Sequence, residues 1–238
     1  MHYFLAYDVG TSSVKSILVD EAGTILVSAI EDYPLQMPNP GWVEQVPIDY
    51  WNAICKATKR LVADAAIQPQ QIKGIAFTTQ AMGIIPVNKQ GEVLYPNISW
   101  VDGRAEKQAI STMRRIGGKA VFKQIAGVEI TGKDVVPKLV WLKENRPDIF
   151  NNTYKFLDVN GYLKYKCTDR MTAEWSGACS YSFNLKSKDW ERLFFKLAGV
   201  GTDKLPDLVR SIDEVGKLTE QAAVEMGLCE GIPVYGGC

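Results

Sequence analysis

The first thirty residues contain three short runs of β-favouring residues, separated by residues that favour turns. The runs cover residues 3–7, 14–19 and 24–30, and the turn segments between them are 8–13 and 20–23. Short runs bounded by Gly, Asp and Ser in this way are typical of strands. The chain is therefore predicted to begin as an antiparallel meander.

A helical pattern follows the meander, beginning after Pro47 with Asp49 in position to cap it. Its apolar face has the i, i+3, i+4, i+7 spacing of an amphipathic helix and consists of Trp51, Ile54, Cys55, Thr58, Leu61, Val62 and Ala65. Further strands are predicted at 72–77 and 84–87, with an extended stretch up to Trp100, and helices at 104–126, 137–145, 158–166, 189–198 and 219–227. We expect one α/β domain over residues 1–238, with a mixed sheet, flanking helices and no internal repeat.

Composition restricts the chemistry and the partners. The 27 basic and 27 acidic side chains cancel, so no net field attracts nucleic acid or an anionic membrane. The single histidine, His2, excludes a Ser-His-Asp triad, a Cys-His pair and a His-rich zinc site. Five scattered cysteines without C-x-x-C spacing argue against a disulfide framework, and no apolar run approaches the ~18 residues of a spanning helix. The sequence predicts a cytoplasmic protein that binds neither nucleic acid nor membrane.

The segment from Asp8 to Lys15 has the strongest local pattern, Asp-Val-Gly-Thr-Ser-Ser-Val-Lys, between two predicted strands. Backbone binding of phosphate needs a tight turn of converging N–H groups, for which Gly10 is expected to take a positive φ. Asp8 is expected to hold Mg²⁺ through water and Lys15 to offset phosphate charge. The predicted cofactor-binding residues are Asp8, Gly10, Thr11, Ser12, Ser13 and Lys15, with Asp8 as the metal ligand. The alternative is an ordinary hairpin with an Asx-type turn.

Five further segments occur in a distinctive order. They are Gly41-Trp42-Val43-Glu44-Gln45 before Pro47, Trp100-Val101-Asp102-Gly103-Arg104, Pro137-Lys138-Leu139-Val140-Trp141-Leu142, Leu205-Pro206 and Gly231-Ile232-Pro233-Val234-Tyr235-Gly236-Gly237. Together with the opening turn, they resemble the FGGY carbohydrate kinases of the actin-like ATPase superfamily, along essentially the whole chain. The resemblance implies a ribonuclease-H-like (actin-like ATPase) fold and ATP- and Mg²⁺-dependent phosphorylation of a small ketose or polyol.

The same resemblance implies that part of the active site lies beyond this chain. Family members are longer, with a second lobe that holds adenine, and a Gly-Asp pair after the Pro-Val-x-Gly-Gly segment supplies the catalytic base. We therefore expect the Gly-Asp pair, and with it the base Asp, to follow Cys238, and no catalytic residue within the chain. The expected partner is the protein's own C-terminal lobe, and a homodimer is left open. Residues 1–238 are expected to fold alone and to be catalytically inactive.

Sugar contacts in the family gather in the loop after the strand that ends at Phe77. The substrate-binding residues that the resemblance implies are Thr79, Gln80, Met82, Trp100 and Asp102. In this loop xylulokinases have a sequence similar to Gln-Met-His-Gly, and glycerol kinases have one similar to Gln-Arg-Glu. Residues 80–83 of this chain are Gln-Ala-Met-Gly, which disfavours glycerol as the substrate. For Met82 the alternative is core packing.

The resemblance also implies that Trp100 and Asp102 face this pocket, where Trp100 would supply an indole wall and Asp102 a carboxylate for sugar hydroxyls. Arg104 is expected to form a structural ion pair with a nearby carboxylate. Lys138 and Trp141, on a predicted helix, are expected to serve packing at least as much as function.

Two other functions stay open. One is a non-catalytic actin-like module that binds nucleotide or sugar to regulate a partner. The other is a structural domain without a site, which requires the Asp8 to Lys15 turn and the Trp100 to Arg104 segment to be spatially unrelated.

Overall fold

The computed structural model describes residues 1–115, 117–126 and 129–238. Among these residues, helices and short two-stranded ribbons surround a six-stranded mixed sheet. The strands are β1 Tyr3–Val9, β2 Ser13–Asp20, β3 Ile25–Asp32, β4 Glu44–Gln45, β5 Ile72–Thr79, β6 Ile85–Val87, β7 Asn97–Ile98, β8 Lys155–Leu157, β9 Thr172–Glu174, β10 Phe183–Asn184, β11 Asp189–Trp190, β12 Asp207–Val209, β13 Glu214–Lys217 and β14 Pro233–Tyr235. The helices are α1 Pro47–Asp64, α2 Glu106–Arg115, α3 Lys119–Ala126, α4 Val135–Asn145, α5 Pro147–Asn152, α6 Val159–Thr168, α7 Trp175–Cys179, α8 Arg192–Ala198 and α9 Glu220–Met226, with 3-10 turns at Pro69–Gln71 and Thr202–Lys204.

The predicted meander forms one half of the sheet. Strand β1 pairs antiparallel with β2, from Tyr3 opposite Asp20 to Val9 opposite Val14, and β2 pairs antiparallel with β3. On the other side of β1, strand β5 runs parallel to it, and β14 runs parallel to β5, which gives the order β13-β14-β5-β1-β2-β3. The carboxyl ends of β1, β5 and β14 therefore meet at one edge, which is where open α/β sheets place their ligands.

One face of this sheet forms the main core with α1. Leu5, Tyr7 and Val9 alternate along β1 and are buried, whereas Asp8 between them is exposed on the opposite face. The apolar face predicted for α1 packs against these strands, and its seven positions are all buried or half-buried. The amphipathic pattern thus identified both the helix and the side that it buries.

The start of α1 differs from the prediction. Pro47 occupies the first helical position and the N-cap is Val46, which makes no side-chain capping bond. Proline suits this position because its missing N–H would have had no partner there. Asp49 lies in the first turn instead of at the cap, where its charge still favours the positive end of the helix dipole.

The predicted helix over 104–126 comprises two helices, α2 and α3, and residue 116 lies outside the described residues. Gly117 and Gly118, with φ of 102° and 97°, separate them. A helix was predicted over 189–198. In the structure, the first two of these residues form strand β11, which pairs with β10, and the helix begins at Arg192.

Several short elements were not predicted. They are helices α5 and α7 and strands β8, β9 and β12, of three to six residues each. Elements of this length carry too few positions to show a period. The helix predicted at 158–166 is observed as α6, which begins after its N-cap Asp158.

A second hydrophobic cluster surrounds α4 and includes Leu139, Trp141, Phe156 and Phe195. Met82 packs against its edge. This cluster supports the loop after β5 from beneath, so side chains far away in sequence set the position of that loop. No helix among the described residues is long and apolar enough to cross a bilayer.

Candidate active site

The carboxyl edge of the sheet brings three distant segments together. In the parallel register Asp8 lies opposite Thr78, and the ladder continues beyond it, with Gln80 N donating to Val9 O at 2.9 Å. The C-terminal segment joins on the other side of β5, because Cys238 N donates to Phe77 O at 3.0 Å and Thr79 N donates to Cys238 O at 3.1 Å. The turn after β1, the loop after β5 and the end of the chain therefore line one cleft.

The turn between β1 and β2 is a hairpin, as the alternative interpretation of this segment predicted. Gly10 N donates to Ser13 O at 3.0 Å, and the Tyr33 hydroxyl reaches Gly10 O and Ser13 O at 2.6 and 2.9 Å. The expected positive φ at Gly10 is wrong, because Gly10 is not among the described residues that take a left-handed conformation. The turn closes with four residues, so no left-handed residue is needed at Gly10.

The hairpin also leaves hydrogen-bond donors at its tip. No described residue accepts a hydrogen bond from the backbone N–H of Thr11 or Ser12. Ser12 is exposed, and Thr11 and Ser13 are partly exposed. Two neighbouring N–H groups of this kind can bind an anion.

Asp8 and Lys15 lie side by side across β1 and β2, beneath that tip. Lys15 Nζ is 3.7 Å from Asp8 Oδ2, and their side chains are 65% and 53% exposed. Both line an open depression of about 320 Å³ that also reaches Thr78 and Cys238. No group of three or more metal-ligating side chains occurs in the described part of the chain. A single accessible carboxylate fits Mg²⁺ that keeps most of its waters and is shared with phosphates, and does not fit a cation held by protein ligands alone.

A chain of hydrogen bonds joins the hairpin to the predicted sugar residues. Trp100 Nε1 donates to Thr11 Oγ1 at 3.1 Å, and Gln45 Nε2 donates to Thr11 O at 2.8 Å. Gln80 Nε2 donates in turn to Gln45 Oε1 at 2.9 Å and to the Tyr50 hydroxyl at 3.3 Å. The hairpin and the Trp100 segment are therefore in contact. A structural domain without a site required these two segments to be spatially unrelated, and this requirement is not met. Trp100 stays 42% exposed.

Asp102 does not face the cleft. It is fully buried, and its carboxylate accepts hydrogen bonds from Val43 N at 2.5 Å and from the Arg104 guanidinium at 2.6 to 3.0 Å. The expected role of this carboxylate as an acceptor for sugar hydroxyls is wrong for this geometry, because both oxygens are bonded inside the protein. The structural ion pair expected of Arg104 is confirmed.

Arg104 is the centre of a buried cluster behind Trp100. Its guanidinium lies 3.9 Å from the ring centroid of Trp42 and 5.0 Å from that of Trp141, and donates to Glu44 at 2.7 Å. Stacking, charge and planar hydrogen bonds all favour arginine at such a position. The cluster orients the backbone that carries Trp100 toward the cleft.

Lys138 joins the two substrate loops from below. This fully buried side chain of α4 donates to Met82 O at 3.0 Å and to Ser99 O at 2.8 Å. Burial lowers the pKa of Lys138 to about 7, against a partial opposing effect of Asp102. Met82 itself is half-buried with a φ of 59°, so its side chain lies against the second core, as its alternative interpretation predicted.

A pocket of about 230 Å³ opens on the far side of the loop after β5. It is lined by Thr79, Ala81, Asp158, Asn160, Glu174, Ser176, Gly177 and Cys238. Thr79 contributes a partly exposed hydroxyl, which bonds to Gln80 O at 3.3 Å. This pocket and the depression beside Asp8 share Cys238, so they lie on either side of the same strand ends.

Sequence reasoning missed Asp158 and Glu174 as residues of this pocket. For Asp158 the local sequence indicated a structural role, because this residue directly precedes a helical pattern and caps the helix. Glu174 lies at the end of the three-residue strand β9, and nothing in its local sequence indicates what it faces.

Comparison with known proteins gives a consistent result. Residues 3–238 match the N-terminal domain of the FGGY family of carbohydrate kinases. A xylulose kinase of Bacillus subtilis (strain 168) is 31% identical over 238 residues, which is 100% of this chain and 47% of that protein. A probable L-xylulose kinase of Haemophilus influenzae is 29% identical over 100% of this chain and 49% of that protein. The chain thus spans about half the length of the curated relatives it matches.

The solved xylulose kinase of Rhodospirillum rubrum superimposes with a TM-score of 0.90 at 26% identity, over 100% of this chain and 49% of that one. The predicted ribonuclease-H-like, actin-like ATPase fold is therefore confirmed.

Proposed function

Because this chain belongs to the FGGY family of carbohydrate kinases, we propose that it is the N-terminal, sugar- and phosphate-binding lobe of a kinase that transfers a phosphoryl group from ATP to a small ketose or polyol. The observation that carries this proposal is the position of two cavities. The depression with Asp8 and Lys15 and the pocket with Thr79 and Ala81 meet at Cys238. A phosphoryl donor in the first cavity and a hydroxyl acceptor in the second would face each other across the strand ends.

On the donor side, the free N–H groups of Thr11 and Ser12 would bind phosphate oxygens, and Lys15 would offset their charge. The hydroxyls of residues 11–13 would add donors. Asp8 would hold Mg²⁺ through water, and the ion would supply neutralisation of charge on the phosphoryl oxygens. Phosphoryl transfer depends on positioning and electrostatics, which a rigid hairpin tied down by Tyr33 can provide.

On the acceptor side, Trp100 would present its exposed indole as a flat wall to the C–H groups of the sugar. Thr79, and Met82 through its backbone, would shape the opening of the pocket. Gln80 would act as a positioning residue, because its amide already bonds Gln45 and Tyr50. Asp102 would hold the Trp100 segment through Arg104.

The catalytic base is expected on the residues that follow Cys238, since the segment before it is paired to β5 at the cleft. A carboxylate at that place would lie between the two cavities and accept the proton of the attacking hydroxyl. The C-terminal lobe of the relatives would supply the adenine site and, by closing, exclude water that would otherwise accept the phosphoryl group.

The test uses a polypeptide of the relatives' length that contains this chain. Purified protein is incubated with ATP, Mg²⁺ and each member of a panel of pentuloses, hexuloses and alditols, and sugar-dependent ADP release is measured. We expect turnover with at least one neutral ketose or alditol and none with residues 1–238 alone. Sugar or nucleotide binding without phosphorylation of any panel member would contradict the proposal and support a non-catalytic regulatory module.

A further inference from the structure

The pocket beside Thr79 contains a carboxylate oxygen that the protein leaves unbonded. Asp158 caps α6, and its Oδ1 accepts a hydrogen bond from Gly161 N at 2.6 Å. No other described residue donates to its Oδ2, although Asp158 is only 5% exposed. A carboxylate held rigidly by one oxygen, with the other free at a pocket wall, is suited to accept a hydrogen bond from a ligand.

The surroundings keep this oxygen in place. A Cβ on Gly177 would lie 2.7 Å from Asp158 Oδ2, so the absence of a side chain at Gly177 is what allows Oδ2 to reach the pocket wall. Asn160 lines the same pocket and is 2% exposed; its Oδ1 has no partner, whereas its Nδ2 donates to Phe77 O at 3.2 Å. Asn160 Oδ1 is itself buried, so the acceptor that the wall presents to a ligand is Asp158 Oδ2, and a polar group this deeply placed is normally bonded.

The charges of the pocket select against anions. Glu174 lines it together with Asp158, and the Glu174 carboxylate is bonded to Ser211 and Ser176. The Lys164 ammonium opposes the charge of Asp158, but this buried side chain donates to Gly236 O at 3.3 Å and does not line the pocket. A ligand carboxylate or phosphate would thus meet two acidic side chains, whereas hydroxyl groups would find acceptors.

The size of the pocket agrees with a small ligand. Its volume of about 230 Å³ corresponds to about eight water molecules at ~30 Å³ each. Burial raises the pKa of Asp158, and a hydroxyl can bond either protonation state because it both donates and accepts.

We propose that Asp158 is a substrate-recognition residue, whose Oδ2 accepts a hydrogen bond from a hydroxyl of a neutral polyhydroxy substrate, and that the pocket discriminates against aldonates. The inference rests on the proposed function and deepens it, since it names the chemical class of the acceptor. The selectivity for neutral substrates over aldonates would thus come from Asp158, the N-cap of α6, which lies outside the loop after β5.

The experiment titrates ¹⁵N-labelled residues 1–238 with D-xylulose, xylitol or D-gluconate up to high millimolar concentration, following amide resonances by NMR. Three variants are compared with the parent chain. Asp158→Ser keeps a capping oxygen and removes Oδ2, Gly177→Ala displaces Oδ2, and Asp148→Ser changes an exposed aspartate of α5 as the matched control. Amide spectra without ligand verify that each variant is folded.

We expect D-xylulose or xylitol to shift the resonances of Thr79, Ala81 and Asn160 and D-gluconate to shift them far less. Loss of a hydrogen bond to a carboxylate should raise Kd by about tenfold or more in Asp158→Ser and Gly177→Ala, with no change in Asp148→Ser. Unchanged affinity in folded Asp158→Ser would overturn the role of Asp158 and leave the kinase proposal standing. Equal binding of D-gluconate would overturn the charge argument. If no neutral sugar shifts these resonances in the parent chain, the sugar-binding role of this pocket is wrong, and the turnover assay of the longer protein decides the proposed function separately.

Discussion

Replacement of Lys138 by Met tests whether a buried ammonium group holds the two substrate loops. Its Nζ donates to Met82 O and Ser99 O, and burial lowers its pKa to about 7, whereas an unfolded lysine titrates at about 10.5. Between these two values the unfolded chain binds more protons than the folded one. The free energy of unfolding therefore rises with pH in this window, and the cost of the buried charge is fully present below pH 7.

The magnitude follows from proton linkage. Each pH unit over which the unfolded state binds one proton more than the folded state adds about 1.4 kcal/mol to the free energy of unfolding. From pH 7, where folded Lys138 is half protonated, to pH 9, its contribution to stability should increase by about 2 kcal/mol. Lys138→Met keeps the apolar stem but cannot titrate, so it should lose this increase while also leaving two carbonyls without their donor.

The assay is urea denaturation of parent and variant at half-unit steps from pH 6 to pH 9, under reducing conditions. Other titrating groups are common to both chains and cancel in the difference. The exposed lysine Lys133, just before α4, provides a control, because Lys133→Met removes an ammonium that is solvated in both states. The difference between parent and Lys138→Met should grow with pH. A constant difference across this range would refute the buried ammonium as its origin.

Three further predictions concern the cleft, the first two in a protein of the relatives' length. Asp8→Asn should lower kcat by at least about tenfold, because a ligand for Mg²⁺ is lost while its shape is kept; near-normal turnover at ordinary Mg²⁺ would remove Asp8 from the mechanism. Met82→His should not raise kcat/KM for xylulose, because the side chain at this position packs against the second hydrophobic cluster and does not line the pocket; a gain of about fivefold, as expected for one new hydroxyl hydrogen bond worth ~1 kcal/mol, would show that the side chain reaches the sugar. Gly10→Ala should keep the circular dichroism spectrum and change the free energy of unfolding by less than about 1 kcal/mol, because a Cβ there would make an ordinary 3.4 Å contact with Ser13 O; a larger loss of stability would contradict the observed hairpin.

Patterns of local sequence were sufficient to predict secondary-structure elements that are long and are bounded by clear turn or cap residues. The strands of the meander were predicted from short β-favouring runs bounded by turn residues, and α1 was predicted because the 3.6-residue period of its apolar residues reports which side meets the core. The motifs around Trp42, Trp100 and Lys138 also identified the family. Local sequence did not reveal the cap of α1, because proline at the first helical position satisfies the same requirement by another means.

The contacts of individual polar side chains could not be predicted. A motif placed Asp102 near the site, but only the packed structure shows that Arg104, which lies beside two indoles, donates to both of its oxygens. Lys138 likewise has the sequence context of a helix position, and its burial beneath two loops depends on how α4 packs against segments that lie 39 and 56 residues away in the sequence. Burial and partner choice are properties of the whole chain.

The amino-acid sequence by itself determined that the chain starts as a meander, that its first long helix buries one face, and that its ordered motifs belong to sugar kinases. The tertiary structure alone decided that β5 and β14 lie parallel to β1, and so brought Asp8, Thr79 and Cys238 to one edge, with Asp158 beside them. The physical reason is that periodicity depends on neighbours a few residues apart, whereas strand order depends on which distant apolar faces bury one another. A site assembled from residues 8, 79, 158 and 238 therefore exists only once that burial is complete.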